Sequence, residues 1–144
     1  MIWVIDASVA VKWFLADETS PYAETVLERL IDEPQCFIIP ELFCFEVFSV
    51  LCRIHPNGEK TFVEGVMPLI EGGLLRQPMT VTLAEHAAEF VKIGLTGYDA
   101  CYAALAREIK GVWLTFDKKA HNLIAKQNIS CYLAKGLPEN WVQK

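Results

Sequence analysis

Several chemistries are missing from this sequence. Histidine is scarce, with three in 144 residues. His55 and His86 stand apart, and His121 lies four residues after Asp117 with no second histidine nearby, so no histidine-based zinc motif is present. The five cysteines, Cys36, Cys44, Cys52, Cys101 and Cys131, cannot all pair within the chain, and none forms a C-x-x-C. That excludes a zinc ribbon and a thioredoxin-type motif; reduced, buried thiols in a cytoplasmic protein are the expectation. No uncharged apolar run is long enough to span a membrane, because the longest apolar stretch, residues 36–52, is interrupted by Pro40, Glu41 and Glu46. No basic segment precedes an apolar run, so no secretory leader is expected. Internal repeats, low-complexity tracts and linkers are also lacking.

What remains is an apolar chain of the size of one domain, residues 1–144. Hydrophobic residues make up 53% and charged residues 22%, with mean hydropathy +0.26. This excludes disorder and leaves surplus apolar surface that could cover another chain. The net charge is −5, which argues against an anionic partner. Yet residues 1–91 carry 5 Lys+Arg against 14 Asp+Glu, whereas residues 92–144 carry 8 against 4. The basic final third is either an anion-facing surface or a lysine-dotted solvent face.

Short apolar runs at residues 2–5, 37–39, 112–115 and 130–133 read as buried strands, with a further strand within 74–81. Helices are expected over residues 8–15, 21–31, 41–53, 59–71, 83–93, 98–110 and 118–126. Strands buried on both faces and alternating with helices predict an α/β fold, a parallel sheet covered by helices on each side. Such sheets place their sites at the C-terminal ends of strands, where the strand order reverses.

Four acids stand out, each with an ordinary explanation. Asp6 follows the first strand and would cap the next helix. Glu46 lies in a helix that is apolar nearly all round and should be buried. There Glu46, Ser49 and Arg53 form one polar stripe, but Arg53 is roughly 10 Å along the axis and a poor partner for a buried carboxylate. Asp99, three residues after Thr96, fits a capping box. Asp117 follows the strand at 112–115 and would cap another helix. The conjunction says more. If the strands ending at Asp6 and Asp117 are neighbours, all four acids converge on one pocket. Alone they would repel; around one or two divalent cations they make sense, and an all-oxygen donor set selects Mg²⁺ or Mn²⁺ over zinc or copper.

These four positions, in this order, resemble the PIN-domain nucleases, in particular the VapC-type toxins of toxin–antitoxin pairs. The first motif is Ile5-Asp6-Ala7-Ser8-Val9 with Lys12-Trp13-Phe14-Leu15, and the second is Pro40-Glu41-Leu42 with Glu46-Val47 and Val50-Leu51. The third, the most specific, runs from Leu95-Thr96-Gly97-Tyr98-Asp99 to Ala106, and the fourth is Leu114-Thr115-Phe116-Asp117-Lys118-Lys119. The resemblance implies a three-layer α/β/α sandwich around a parallel sheet of four to five strands. It implies that Asp6, Glu46, Asp99 and Asp117 are catalytic and hold the metal, with Ser8 and Thr115 as accessory hydroxyls. Ser49 stands where many relatives have Asn, and Phe116 is bulkier than the residue usual there.

The activity so implied is Mg²⁺- or Mn²⁺-dependent endoribonucleolytic hydrolysis to 5′-phosphate and 3′-hydroxyl ends, with no His or Lys base. RNA would be gripped by its backbone, with Lys12, Arg53, Lys118, Lys119 and Lys126 as candidate phosphate contacts. The resemblance also implies a two-fold homodimer and an antitoxin whose segment lies over the acidic pocket. Other readings fare less well. A haloacid-dehalogenase-like phosphatase needs an acid where Ser8 stands, and a receiver domain needs an acidic pair where Ile5 precedes Asp6. A non-catalytic PIN-like binding module and a stand-alone RNA-processing nuclease remain as alternatives.

Overall fold

Strand β1 (Trp3–Ile5) is buried along its whole length and lies at the centre of the sheet. The computed structural model describes residues 1–141. Four more strands complete the sheet: β2 (Phe37–Pro40), β3 (Leu75–Gln77), β4 (Val112–Thr115) and β5 (Ser130–Tyr132). The order is β3-β2-β1-β4-β5, and every pairing is parallel. Val4 lies opposite Ile38 on one side and Trp113 on the other. The chain therefore winds outward through β2 and β3, then returns past β1 to β4 and β5. The reversal falls between β1 and β4, which opens a crevice at their C-terminal ends.

Helices cover both faces, as the α/β/α expectation requires. Helix α1 (Ala7–Ala10) tightens into a 3₁₀ turn at Val11–Trp13, shorter than the helix predicted over 8–15. Helix α2 (Pro21–Asp32) has Pro21 in its first turn and Ser20 Oγ accepting from the Ala23 N–H, and it buries Ala23, Val26 and Leu30 along one face. Helix α3 (Leu42–Ile54) follows β2 directly. The helix predicted over 59–71 is broken into α4 (Gly58–Thr61), a wider π turn at Phe62–Val66 and α5 (Met67–Glu71). The widening comes just before Pro68, which donates no backbone hydrogen bond and whose ring crowds the preceding turn. Helix α6 (Val81–Lys92) is capped by Thr80 and buries Leu83, Ala87 and Phe90. Helix α7 (Gly97–Glu108) leads into β4, and α8 (Lys118–Ile124) packs on β5.

Two expectations about burial are corrected. Helix α3 is not buried all round: Phe43, Val47 and Leu51 face the core, but Phe45 is 69% and Phe48 45% exposed. The enclosed helix is α7, in which every residue from Ala100 to Ala106 is buried. Its alanines carry so little bulk that it fits between β1, β2 and β4 on one side and α6 on the other. Apolar content therefore overstated the burial of α3, and small side chains set the burial of α7. The thiols are also less buried than expected. All five are free, but only Cys101 is buried, Cys36, Cys44 and Cys131 are half-buried, and Cys52 is exposed. Among the described residues, no helix is long and apolar enough to cross a membrane.

Two glycines are fixed by close backbone approach. A Cβ on Gly58 would lie 2.2 Å from the Leu51 carbonyl oxygen, and one on Gly111 would lie 2.2 Å from that of Ile2. The second contact sits where the Val112 N–H donates to Ile2 O, beside the β1–β4 pairing. Gly97 has nothing within 4 Å of its would-be Cβ. G58A and G111A should each cost about 1–3 kcal/mol or more in urea unfolding, whereas G97A should be neutral or mildly stabilising. Equal midpoints for all three variants would contradict this packing.

Candidate active site

Asp6 ends β1 and precedes α1, but it does not cap that helix: its side chain makes no capping hydrogen bond. Instead Oδ2 accepts from the Thr115 hydroxyl and, at 3.0 Å, from the Ser8 hydroxyl. Both hydroxyls are themselves oriented. Ser8 Oγ accepts from the Phe116 N–H and Thr115 Oγ1 from the Asp117 N–H, each at 3.0 Å. The Asp6 N–H donates to the Leu114 carbonyl at 3.2 Å. The ends of β1 and β4 are thus tied together through one carboxylate that is only 6% exposed.

The other acids come from the elements around the same crevice. Glu46 projects from α3 and is half-buried; its Oε1 accepts from the Tyr102 hydroxyl at 2.7 Å. Tyr102 is fully buried in α7, and its ring stacks on Trp113 of β4 with centroids 5.9 Å apart and planes 8° from parallel. Asp99 is half-buried in the first turn of α7, where Thr96 Oγ1 accepts from its N–H at 3.1 Å. Thr96 is thus the cap foreseen for that helix. Asp117 does cap α8, its Oδ1 accepting from the Ala120 N–H at 2.9 Å. Asp6, Glu46 and Asp117 each have one oxygen held by a donor and a second without a hydrogen-bond partner among the described residues.

The electrostatics show that the acids share one neighbourhood. Burial pushes the Asp6 carboxyl up to about 7; the Thr115 and Ser8 hydrogen bonds pull against this, and the charges of Asp99 and Glu46 add to it. Burial raises Glu46 as well, against its Tyr102 hydrogen bond and with Asp99 adding. Asp99 is raised by burial and then by Asp117, with Thr96 opposing. Tyr102 is held well above its ordinary value by burial and by the charges of Asp6 and Glu46, so it remains a donor. Among the described residues, no three His, Cys, Asp or Glu side chains already stand at ligand spacing. The quartet is thus brought within repulsive reach but is not drawn together. A set of carboxylate oxygens, one buried and without a countercharge among the described residues, fits a hard divalent cation.

The predicted basic contacts divide. Lys119 lines a small cleft with Thr96, Asp99 and Asp117, and Lys118 is exposed beside it on α8. Arg53 lines a groove that includes Glu46. Lys12 is engaged elsewhere, 3.8 Å from Glu18 and 4.7 Å above the Phe116 ring. Lys126 is exposed in the turn Ala125–Gln127. His121 pairs with Ser130 at 2.7 Å and stacks on Tyr132, outside the acid cluster. Sequence reasoning missed Tyr102 as a site residue. Its signal was a hydroxyl on the otherwise apolar, small-residue body of α7, which once buried must find a partner.

A PIN-domain family model matches residues 3–126, a span that contains all four acids. The chain belongs to the PIN-domain family. No curated protein matches it. Among solved structures, this PIN protein is similar to FitAcB from Neisseria gonorrhoeae, with TM-score 0.66 and 13% identity over 86% of this chain and 94% of that one. It is similar to VapC20 of Mycobacterium tuberculosis, described as a sarcin–ricin loop cleaving toxin, with TM-score 0.65 and 17% identity over 83% and 93%. A toxin–antitoxin complex from Klebsiella pneumoniae gives TM-score 0.61 and 18% identity over 82% and 88%. At such identities what is shared is the fold.

The buried acid makes PIN-protein stability depend on pH. The Asp6 carboxyl moves from an ordinary value of 3.8 to about 7 on folding. Its stabilising contribution is full below the unfolded value and is lost as pH rises through the folded one. In metal-free buffer, wild-type protein should lose stability relative to D6N between pH 4 and 8, by up to about 4 kcal/mol. Chemical denaturation of both proteins at each pH reads the difference; a gap that does not change with pH contradicts the assignment.

Proposed function

We propose that this PIN protein is a metal-dependent endoribonuclease, the toxin of a VapBC-type pair acting in the cytoplasm, and that residues 1–144 work as one catalytic unit. The observation that supports this reading is that Asp6, Glu46, Asp99 and Asp117 lie within electrostatic reach of one another where the strand order reverses, with no cation among the described residues offsetting Asp6. These four side chains would hold Mg²⁺ or Mn²⁺, which when bound lowers the pKa of water and offsets phosphodiester charge.

The remaining chemistry belongs to the chain. Thr115 and Ser8 fix Asp6 through Oδ2 and leave Oδ1 without a hydrogen-bond partner among the described residues. Tyr102 does the same for Glu46 through Oε1. Lys119, which shares a cleft with Asp99 and Asp117, and Arg53, which shares a groove with Glu46, would meet phosphate oxygens of the strand. A water oxygen adds to phosphorus in line with the 3′ oxygen. The P–O3′ bond breaks, the 3′ oxygen takes up a proton, and the phosphate stays on the 5′ side. No side-chain nucleophile is used. The exposed apolar side chains Phe48, Ile54 and Val63 supply surface for a second copy of the chain or for an antitoxin.

The test is cleavage of a labelled RNA mixture with Mg²⁺, Mn²⁺ or EDTA, followed by end-group analysis. Metal-dependent cutting to 5′-phosphate and 3′-hydroxyl ends is expected, with D99N slower by about two orders of magnitude or more. A 2′,3′-cyclic phosphate, or full activity in EDTA, would overturn the mechanism.

A further inference from the structure

A groove of about 520 Å³ that includes Glu46 runs along one side of α3 and is unexplained by the acids alone. Two aromatic rings line it, Phe45 at 69% exposure and Tyr98 at 66%. Singly exposed apolar residues need no explanation. These two share one groove, and each is the chain neighbour of a site acid: Phe45 precedes Glu46 and Tyr98 precedes Asp99. The same groove is lined by the polar stripe of α3, Glu46, Ser49 and Arg53 in order along the helix, together with Leu42 and Val50. Arg53 has no acidic partner among the described residues and lies roughly 10 Å along the axis from Glu46.

We propose that this groove is a stacking subsite in which Phe45 and Tyr98 hold an unpaired base next to the scissile phosphate. The inference rests on the nuclease reading and specifies which side chains grip its substrate. The argument is one of matching surfaces. A base presents a flat π face and suits an exposed ring, whatever its sequence. A flanking phosphate suits an unpaired guanidinium. The volume is that of a pocket for one small ligand. A protein helix would instead call for a long apolar groove. Paired bases keep their faces stacked inside the duplex and cannot offer one to Phe45 or Tyr98.

The experiment uses the full chain carrying D99N to slow cleavage, Mg²⁺, and a short oligoribonucleotide containing 2-aminopurine. Fluorescence reports stacking, and anisotropy reports affinity. The expected result is strong quenching on binding and affinity about tenfold higher than for the same strand in a duplex or for an abasic strand of equal length. F45A and Y98A, each added to D99N, should lose the quenching and about tenfold in affinity, while Y98F keeps both. In the otherwise wild-type enzyme, F45A should raise KM for single-stranded RNA about tenfold and leave kcat within about threefold. If the wild type cuts RNA while F45A and Y98A bind and quench unchanged, the nuclease stands and the subsite falls; the groove then serves a protein. Equal binding of the abasic strand also overturns the subsite. If no strand binds and the wild type cuts none, the nuclease reading and the subsite fall together.

Discussion

One carboxylate shared between two strand ends organises this molecule. Asp6 is buried at the end of β1, and its hydrogen-bond partners come from α1 and β4. Because β1 and β4 are the strands between which the sheet reverses, the same contact that joins them also defines the crevice. Helix α3 leaves the C-terminal end of β2 and α7 runs back to begin β4, so Glu46, Asp99 and Asp117 arrive at that crevice from three further elements. The fold thus converts four acids far apart in sequence into one field of negative charge.

Such a field opposes folding. Burial and mutual repulsion raise Asp6, Glu46 and Asp99 together, which means that each is disfavoured in its charged form. The surrounding structure has to hold the arrangement against that cost. The alanines of α7 do part of this by letting a helix pack closely against three strands, and Tyr102 uses the same close approach to reach Glu46. Ser8 and Thr115 do the rest, each receiving a backbone N–H so that its own proton points at Asp6. Destabilising charge kept in place by a rigid, well-packed frame is a common mark of functional sites.

Much of this was legible in the sequence. The strands at Trp3–Ile5, Phe37–Pro40 and Val112–Thr115 are short apolar runs closed by Asp, Pro or a capping acid, and they fall within a residue or two of expectation. Thr96 and Asp117 cap their helices as their spacing indicated. What the sequence did not show depends on which face of a helix meets the core. Composition made α3 look buried all round, but Phe45 and Phe48 turn outward while the small residues of α7 turn inward. For the same reason nothing local marked Tyr102 as the partner of Glu46. Asp6 read as a helix cap because local pattern cannot reveal a partner 109 residues away.

Isothermal titration of the metal-free protein with Mn²⁺ tests the central claim, that the crevice is shaped for a divalent cation, without requiring the substrate to be known. Wild-type protein should bind with a stoichiometry of about one or two ions, and D6N and D99N should each weaken binding by about tenfold or more. Absence of binding to the wild type, or binding that both substitutions leave intact, would contradict it.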